Sequence, residues 1–241
     1  MFIIPLISLE YRCNYNLILK SGISHFSLPP QLIHMIEYRK YCFMEGIMAK
    51  LIFRYGAMDA SKTANALMVR FNYNERGMHA VVLKPGFENR DGAHIIKSRI
   101  GLEAECEAVE TFLAERTPDF FDADQIDCII IDEAQFLTVE QVNQFAWIVD
   151  NLNIPVICYG LRTDFTGRAF PGSGRLLELA DNLEEIPTIC WCGHKARFEA
   201  RVCDGKMVTE GEQVALGGND MYISLCRKHF MNGDIGPAFV K

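Results

Sequence analysis

The sequence lacks any apolar run that approaches the roughly 18 residues needed to span a membrane. Its apolar first residues, MFIIPLISL, carry no basic segment and no small-residue cleavage site, so they do not match a secretory signal peptide. We therefore expect a cytoplasmic protein. Positive charge is also scarce, because 24 Lys and Arg stand against 31 Asp and Glu, for a net charge of −7. This balance predicts neither a nucleic-acid partner nor a membrane partner.

Cysteine is not scarce, but its nine copies are an odd number and most stand singly in apolar segments. This distribution favours reduced thiols and a metal site over a disulfide framework. The chain has 241 residues, of which 49% are hydrophobic and 23% charged, as is typical of one globular domain with or without a small appendage. Two complete RecA-like motor domains would not fit in this length.

The composition changes at Met48. Residues 1–47 are apolar and aromatic without a clear period, whereas the segment MAKLIFRYG combines a start-like methionine, a short apolar run and a glycine turn. We interpret Met48 as the ancestral beginning of the domain, and the preceding residues as an extension or an upstream start. The pattern changes again near residue 187, where cysteines, glycines and short polar turns begin. The predicted units are residues 1–47, a core at 48–186, a small domain at 187–232 and a tail at 233–241.

Apolar runs alternate with helical patterns along the core. Four runs are apolar on successive positions, as strands buried on both faces are: residues 51–53, 79–83, 126–131 and 154–159. The first helical pattern places Ala64, Leu67, Met68 and Phe71 on one face, and a capping box at Thr138 begins the second. This alternation predicts an α/β fold with a parallel sheet covered by helices.

The segment GAMDASKT follows the first predicted strand and opens the first predicted helix. It matches the Walker A pattern at every position except Ser61, which stands where the second glycine belongs. In such a loop, backbone N–H groups hold phosphates, the lysine neutralises their charge and the hydroxyl of the last residue binds Mg²⁺. The alternative is a plain strand-to-helix turn with a surface lysine. The predicted nucleotide-binding residues are Gly56, Ala57, Met58, Asp59, Ala60, Ser61, Lys62 and Thr63.

A second candidate lies in IIIDEAQF, where the third predicted strand ends. Asp132 and Glu133 stand at the carboxyl edge of a buried strand, the edge at which α/β sheets bind ligands. An aspartate there holds Mg²⁺ in P-loop proteins, and an adjacent glutamate can accept a proton from an incoming hydroxyl. The alternative is a solvated acidic turn. DEAQ is also similar to a helicase motif, but helicases need two RecA-like domains.

Two close pairs of ligand-type residues predict a closed, tetrahedral, structural Zn²⁺ site. The first pair has the spacing C-x-C, tighter than the usual C-x₂₋₄-C, and the second has the spacing C-x-x-H. Cys203 and His194 are nearby alternatives, although a cysteine in an apparent strand is more often a buried apolar residue. The predicted ligands are Cys190, Cys192, Cys226 and His229.

In combination, these motifs resemble the zinc-containing type II thymidine kinase family over about residues 48–230. The resemblance rests on the ordered motifs G-A-M-x-A-x-K-T, DEAQF, YGLRTDF, C-x-C, GGxxxY and C-x-x-H. It implies transfer of the ATP γ-phosphate to the 5′-hydroxyl of thymidine or deoxyuridine, with Mg²⁺ and structural Zn²⁺ as cofactors. It also implies a P-loop (RecA-like) core with a small C-terminal zinc-binding lasso domain, a homotetramer and inhibition by dTTP.

The resemblance implies an ATP site that extends beyond the phosphate loop. Glu133 would accept the proton of the attacking hydroxyl. The segment Glu88-Asn89-Arg90 aligns with the D-x-R segment of the family, so Glu88 replaces the usual aspartate and Arg90 would meet phosphate. The ATP-site residues implied outside the loop are Arg90, Asp132, Glu133, Ala134 and Gln135.

A thymidine pocket is implied as well. The segment GGNDMY is similar to the lasso that covers thymidine, in which backbone groups read the pyrimidine edge and Tyr222 closes the pocket. The zinc pairs bracket this segment, so the metal would hold the two ends of the lasso together. Two phenylalanines, Phe136 and Phe165, would line the base pocket, and core packing is their alternative role. The implied substrate-binding residues are Phe136, Phe165, Gly217, Gly218 and Tyr222.

Ser61 leaves a second hypothesis open, a nucleotide- or nucleoside-binding zinc protein with impaired catalysis. Glycine adopts positive φ freely and lets phosphate approach, whereas serine at such a position costs about 1–2 kcal/mol. A third hypothesis, a zinc-ribbon nucleic-acid binder, is disfavoured by the acidic balance and the lack of a basic stripe. Retention of Lys62, Thr63, Asp132 and Glu133 favours the kinase over both.

We expect residues 1–47 to be dispensable for catalysis, because they contain no phosphate-binding, metal-binding or base-binding motif. A chain that begins at Met48 should phosphorylate thymidine with kcat and KM close to those of the full chain. If the shortened chain is insoluble or inactive, the extension instead packs on the core or mediates assembly.

Overall fold

The apolar runs of the core form strands, and the segments between them form helices. The computed structural model describes residues 48–88, 92–116, 126–211 and 221–237, so the predicted extension at residues 1–47 lies outside the described residues. In chain order, the strands are β1 Leu51–Tyr55, β2 Ala80–Lys84, β3 Ile95–Lys97, β4 Glu103–Glu105, β5 Glu107–Ala108, β6 Cys128–Ile131, β7 Val156–Gly160, β8 Asn182–Glu185, β9 Thr188–Ile189, β10 Lys195–Ala196, β11 Phe198–Cys203, β12 Lys206–Val208 and β13 Met221–Leu225. The helices are α1 Lys62–Asn74, α2 Val109–Glu115, α3 Val139–Leu152, α4 Pro171–Leu179 and α5 Arg227–Asn232, with a 3₁₀ turn at Ala134–Phe136.

Six strands make one sheet in the order β5-β2-β6-β7-β1-β8, and every neighbouring pair in it is parallel. Every residue of β6 and β7 is buried, as expected for a parallel sheet covered by helices. Ile130, Ile157 and Tyr159 pack in one apolar cluster with Ala66 of α1. The predicted α/β fold is therefore confirmed.

The two predicted helix patterns differ in outcome. The capping box of α3 is present, because the Thr138 hydroxyl accepts the Gln141 N–H at 3.1 Å and the Gln141 side chain accepts the Thr138 N–H at 2.9 Å. In α1 the predicted buried face is partly wrong, since Met68 and Phe71 are 55% and 60% exposed. Apolar side chains lie on two sides of α1, so their period alone does not select the side that faces the sheet. The residues of α1 that pack on the core are Ala66, Leu67, Val69 and Tyr73.

The C-terminal part of the chain is built from short antiparallel strands. Strands β9 and β10 form a hairpin, and β11 pairs with β12 on one side and β13 on the other. We call the sheet β12-β11-β13 the second sheet. An apolar cluster that includes Ala200, Val202, Ile223, Leu225 and Phe230 supports it. The predicted boundaries at residues 187 and 232 stay predictions.

No helix in the described part of the chain combines the length and the apolar character that a membrane span requires.

Candidate active site

A cleft of about 1030 Å³ opens at the carboxyl edge of the parallel sheet, where the predicted site residues meet. Arg90, Gly217 and Gly218 lie outside the described residues, so the structure gives no position for them. Ala57, Ala60 and Ala134 are buried. The predicted residues that line the cleft are Met58, Asp59, Ser61, Lys62, Thr63, Asp132, Glu133, Gln135, Phe136, Phe165 and Tyr222.

The predicted phosphate loop connects β1 to α1 and bends sharply. Its first residue, Gly56, donates its N–H to Gly160 O at 3.2 Å, and a Cβ at Gly56 would lie only 2.6 Å from Ile186 O. Two later residues, Asp59 and Ser61, have left-handed backbone conformations with φ of 59° and 54°. The loop therefore needs positive φ at the position where serine replaces the expected glycine, and serine adopts it at an energetic disadvantage.

The side chain of Lys62, the first residue of α1, turns back toward the start of the phosphate loop. Its ammonium group donates to Gly56 O at 3.1 Å and to Ala57 O at 2.8 Å. Burial lowers the pKa of Lys62, whereas the charges of Glu133, Glu199 and Asp132 act in the opposite direction. The lysine charge is thus held among carboxylates at the place where a phosphate would enter the loop.

Thr63 and Asp132 connect the start of α1 to the end of β6. The Thr63 hydroxyl donates to Asp132 Oδ2 at 2.8 Å, and Asp132 is only 4% exposed. Burial and the nearby charge of Glu133 raise the pKa of Asp132 to about 7, against the effect of the Thr63 hydrogen bond. A buried carboxylate beside a hydroxyl is a set of hard oxygen donors, which fits Mg²⁺.

Glu133 is positioned by Gln135, two residues later. Gln135 Nε2 donates to Glu133 Oε2 at 2.5 Å, and Gln135 Oε1 accepts the Leu161 N–H at 3.0 Å. This close packing needs glycine at the end of β7, because a Cβ at Gly160 would lie 2.8 Å from Gln135 Oε1. Glu133 itself has φ of 52° and lines the cleft. The turn therefore directs one carboxylate toward the cleft beside the buried Asp132.

The two predicted phenylalanines differ in their surroundings. Phe136 is half-buried and meets Phe87 and Phe170 edge-on, with ring centroids 5.1 and 5.5 Å apart. Phe165 is only 1% exposed, and the guanidinium carbon of Arg201 lies 5.4 Å from its ring centroid. Both rings line the cleft, so packing and ligand contact are compatible roles for them.

Lys84 and Glu199 are among the cleft residues that were not predicted. Lys84 at the end of β2 is buried and donates to Gly92 O at 2.7 Å and Ile95 O at 2.9 Å, while its ammonium lies 3.6 Å from a carboxylate oxygen of Glu88. A lysine at the carboxyl end of a buried strand is a signal that the sequence offered. The second residue, Glu199 of β11, is buried beside the phosphate loop, and no local motif marks it.

A candidate metal centre lies at the base of the second sheet. The ligand atoms of Cys190, Cys192, Cys226 and His229 all lie within 4.8 Å of one another. The separations include 4.0 Å between the sulfurs of Cys192 and Cys226, and 3.4 Å and 3.5 Å from His229 Nδ1 to the sulfurs of Cys190 and Cys226. Tetrahedral zinc with Zn–S bonds of about 2.3 Å places sulfurs about 3.8 Å apart, so the four residues fit this metal.

The surroundings of the cluster favour metal binding. The His229 backbone N–H lowers the pKa of the Cys226 thiol, which favours the thiolate that binds metals, whereas the pKa of the Cys192 thiol is raised, against a hydrogen bond from the His194 backbone, by burial and by its contacts with Cys190 and Cys226. Trp191 stacks on the His229 ring at 4.4 Å, and Asp234 lies 3.9 Å from His229 Nε2. Neither predicted alternative belongs to the cluster, although His194 Nδ1 lies 3.4 Å from the sulfur of Cys192.

Comparisons of the sequence with known proteins agree on one family. A family model described as thymidine kinase matches residues 49–230. A thymidine kinase from Aliivibrio fischeri is 46% identical over 186 residues, which cover 76% of this chain and 97% of that protein. A thymidine kinase from Mesorhizobium japonicum is 49% identical over 186 residues, covering 76% of this chain and 91% of that protein. A solved DNA replication initiation factor is only weakly similar, with a TM-score of 0.36 and 18% identity over 67% of this chain and 48% of that chain.

We expect the Ser61→Gly variant to have a higher kcat/KM for ATP, by roughly 3–30-fold, equivalent to about 0.7–2 kcal/mol. Glycine would adopt the observed φ of 54° without strain, and the Ser61 side chain makes no capping hydrogen bond that would be lost. Steady-state kinetics with ATP varied at saturating thymidine and Mg²⁺ measure the effect. An unchanged or lower kcat/KM would show that Ser61 is an adapted residue rather than a defect.

Proposed function

The chain belongs to the thymidine kinase family, and we propose that its ATP and thymidine bind next to each other in the cleft at the carboxyl edge of the sheet. The protein phosphorylates thymidine with ATP, giving dTMP and ADP. The observation that carries the site is the convergence of Lys62, Thr63, Asp132 and Glu133 in one cleft. A nucleotide-binding protein with impaired catalysis is not favoured, because these four residues are all present.

In this proposal the loop at residues 56–63 binds the ATP phosphates. Lys62 donates to two carbonyl oxygens of the loop, and it exchanges them for phosphate oxygens when ATP binds. Thr63 Oγ1 and Asp132 Oδ2 would hold Mg²⁺. When bound, this ion neutralises charge on the transferred phosphoryl group. Arg90 remains a predicted phosphate contact by family resemblance.

Glu133 is the proposed proton acceptor. The thymidine 5′-oxygen attacks the γ-phosphorus, the bond from that phosphorus to the β,γ-bridging oxygen breaks, and the hydroxyl proton passes to a Glu133 carboxylate oxygen. Gln135 donates to Glu133 Oε2 and so fixes the direction of the carboxylate. The ADP leaving group remains bound by the phosphate loop.

The four-residue cluster would hold a structural Zn²⁺ ion. All four ligand positions come from protein, which gives a closed site without an open position for substrate. The segment between β12 and β13, which contains Gly217 and Gly218, lies between the two ligand pairs in the sequence. Tyr222 follows it on β13 and lines the cleft. We propose that the metal sets the position of this lasso over thymidine.

Several finer properties belong to the same proposal by family resemblance. They are activity on deoxyuridine, which lacks only the 5-methyl group of thymidine, assembly into a homotetramer, inhibition by dTTP and a cytoplasmic location.

The Glu133→Gln variant should lose about 10²–10⁴-fold in kcat, because it removes the proton acceptor and conserves the shape of the side chain. Its affinity for ATP should change little. Transfer of labelled γ-phosphate to thymidine, measured with and without Mg²⁺, tests both the role and the site. Glu140→Gln, the same exchange on the exposed start of α3, is the matched control and should leave kcat unchanged. Near-normal turnover in the Glu133 variant would remove Glu133 from the mechanism.

Replacing Cys226 with alanine should lower the zinc content from about one equivalent to near zero, because three ligands hold the metal much less tightly. Thymidine affinity should fall at the same time if the metal positions the lasso. Metal analysis and equilibrium binding of thymidine measure the two effects. Cys203→Ala is the control, since Cys203 lies on β11 outside the cluster. A Cys226 variant that keeps its zinc and its thymidine affinity would contradict the proposed metal centre.

A further inference from the structure

Two side chains of the second sheet hold one residue of the phosphate loop. Glu199 Oε1 on β11 accepts the backbone N–H of Met58, and the Ser224 hydroxyl on β13 donates to Met58 O at 2.9 Å. Both backbone polar groups of Met58 are therefore bonded to the C-terminal part of the chain. The bonds join residues 141 and 166 positions apart in sequence.

Met58 is followed at once by the part of the loop that has the least favourable backbone. Asp59 and Ser61 both have positive φ, a conformation that persists in non-glycine residues only where the surroundings impose it. Neither residue of the pair Glu199 and Ser224 belongs to the loop or to its helix. Their hydrogen bonds to Met58 are an external restraint on the segment that carries Lys62.

Stability alone does not account for a glutamate at this position. Glu199 is 3% exposed, and its second carboxylate oxygen has no hydrogen-bond partner among the residues that the structure describes. Burying a carboxylate oxygen without a partner is unfavourable, and the cost is not repaid by the other oxygen. Burial raises the pKa of Glu199 to about 7, although the Met58 N–H, the Lys62 charge and a hydrogen bond with the Ser224 side chain act against this. An apolar side chain at this position beneath the phosphate loop would avoid that cost.

We propose that Glu199 and Ser224 are positioning residues for ATP, which hold the phosphate loop in its binding conformation through the backbone of Met58. The inference rests on the proposed role of residues 56–63 in ATP binding. It gives the second sheet a role at the ATP end of the cleft as well as at the thymidine end. Amides that are held in place before ATP arrives bind and stabilise phosphate charge without reorganisation.

Substitutions at the two positions test the inference through the separate KM values for ATP and thymidine. Glu199→Ala removes the acceptor and should raise the KM for ATP by about 5–50-fold, within the range expected when the Met58 N–H is left without a hydrogen-bond partner. Glu199→Gln keeps an acceptor oxygen for the Met58 N–H and should stay within about threefold of the unmodified chain. Ser224→Ala should raise the KM for ATP by about 2–10-fold. In all three, kcat and the KM for thymidine should change by less than about threefold.

Glu185→Ala is the matched control. Glu185 on β8 pairs with Lys195 at 2.6 Å, so it also joins the parallel sheet to the C-terminal part of the chain, but it forms no hydrogen bond with the phosphate loop. Its KM for ATP should not change. Circular dichroism confirms that each variant is folded, and if Glu199→Ala does not fold, Ser224→Ala decides alone.

Three results would overturn the inference. The first is a KM for ATP that stays unchanged in Glu199→Ala or, where that variant is unfolded, in Ser224→Ala. The second is a KM for thymidine that rises as much as the KM for ATP, which would place Glu199 in the nucleoside pocket. The third is a KM for ATP that rises as much in Glu199→Gln as in Glu199→Ala, which would assign the effect to charge and not to the hydrogen bond. The Lys62→Ala variant separates failure of this inference from failure of the proposed function. If it loses phosphate transfer to thymidine, the proposed role of residues 56–63 in ATP binding is supported, whatever the result for Glu199.

Discussion

The hydrogen bond between Thr63 and Asp132 joins the two segments on which the cleft depends. The strands that precede them, β1 and β6, are not neighbours in the sheet, because β7 lies between them. Gly160 at the end of β7 accepts from Gly56 and leaves space for Gln135, so three strand ends converge without a side chain at their centre. The position of the proposed catalytic groups follows from this convergence, since Lys62 precedes Thr63 and Glu133 follows Asp132.

Most of the fold and of the candidate site could be predicted from the sequence because the relevant signals are local. Buried parallel strands are apolar at consecutive positions, and the phosphate loop and the cysteine pairs are short motifs with characteristic spacing. The buried face of α1 could not be predicted in this way. Ala66 packs on the sheet while the larger Phe71 faces solvent, an arrangement set by the approach of the helix to β6 and β7 and not by residue hydrophobicity.

Glu199 shows why other site residues were missed. In the strand FEARVC, an alternating pattern predicts that Glu199 and Arg201 share a polar, solvent-facing side. The structure instead buries both Glu199 and Ala200, since the phosphate loop covers one side of β11 and the apolar cluster of the second sheet covers the other. A contact between segments 141 residues apart leaves no trace in the local pattern. Lys84 differs, because its place at the end of an apolar strand was a usable signal.

The position of Lys62 also bears on which anions the loop would bind in the proposed ATP site. Its ammonium group already donates to two carbonyl oxygens of the loop, so an incoming anion must replace existing hydrogen bonds. Only the difference in free energy between the new and the old partners contributes to affinity. A singly charged or weakly chelating anion gains little from this exchange, whereas a triphosphate offers several oxygens at once. In the proposed ATP site, this exchange therefore favours polyphosphates over small anions.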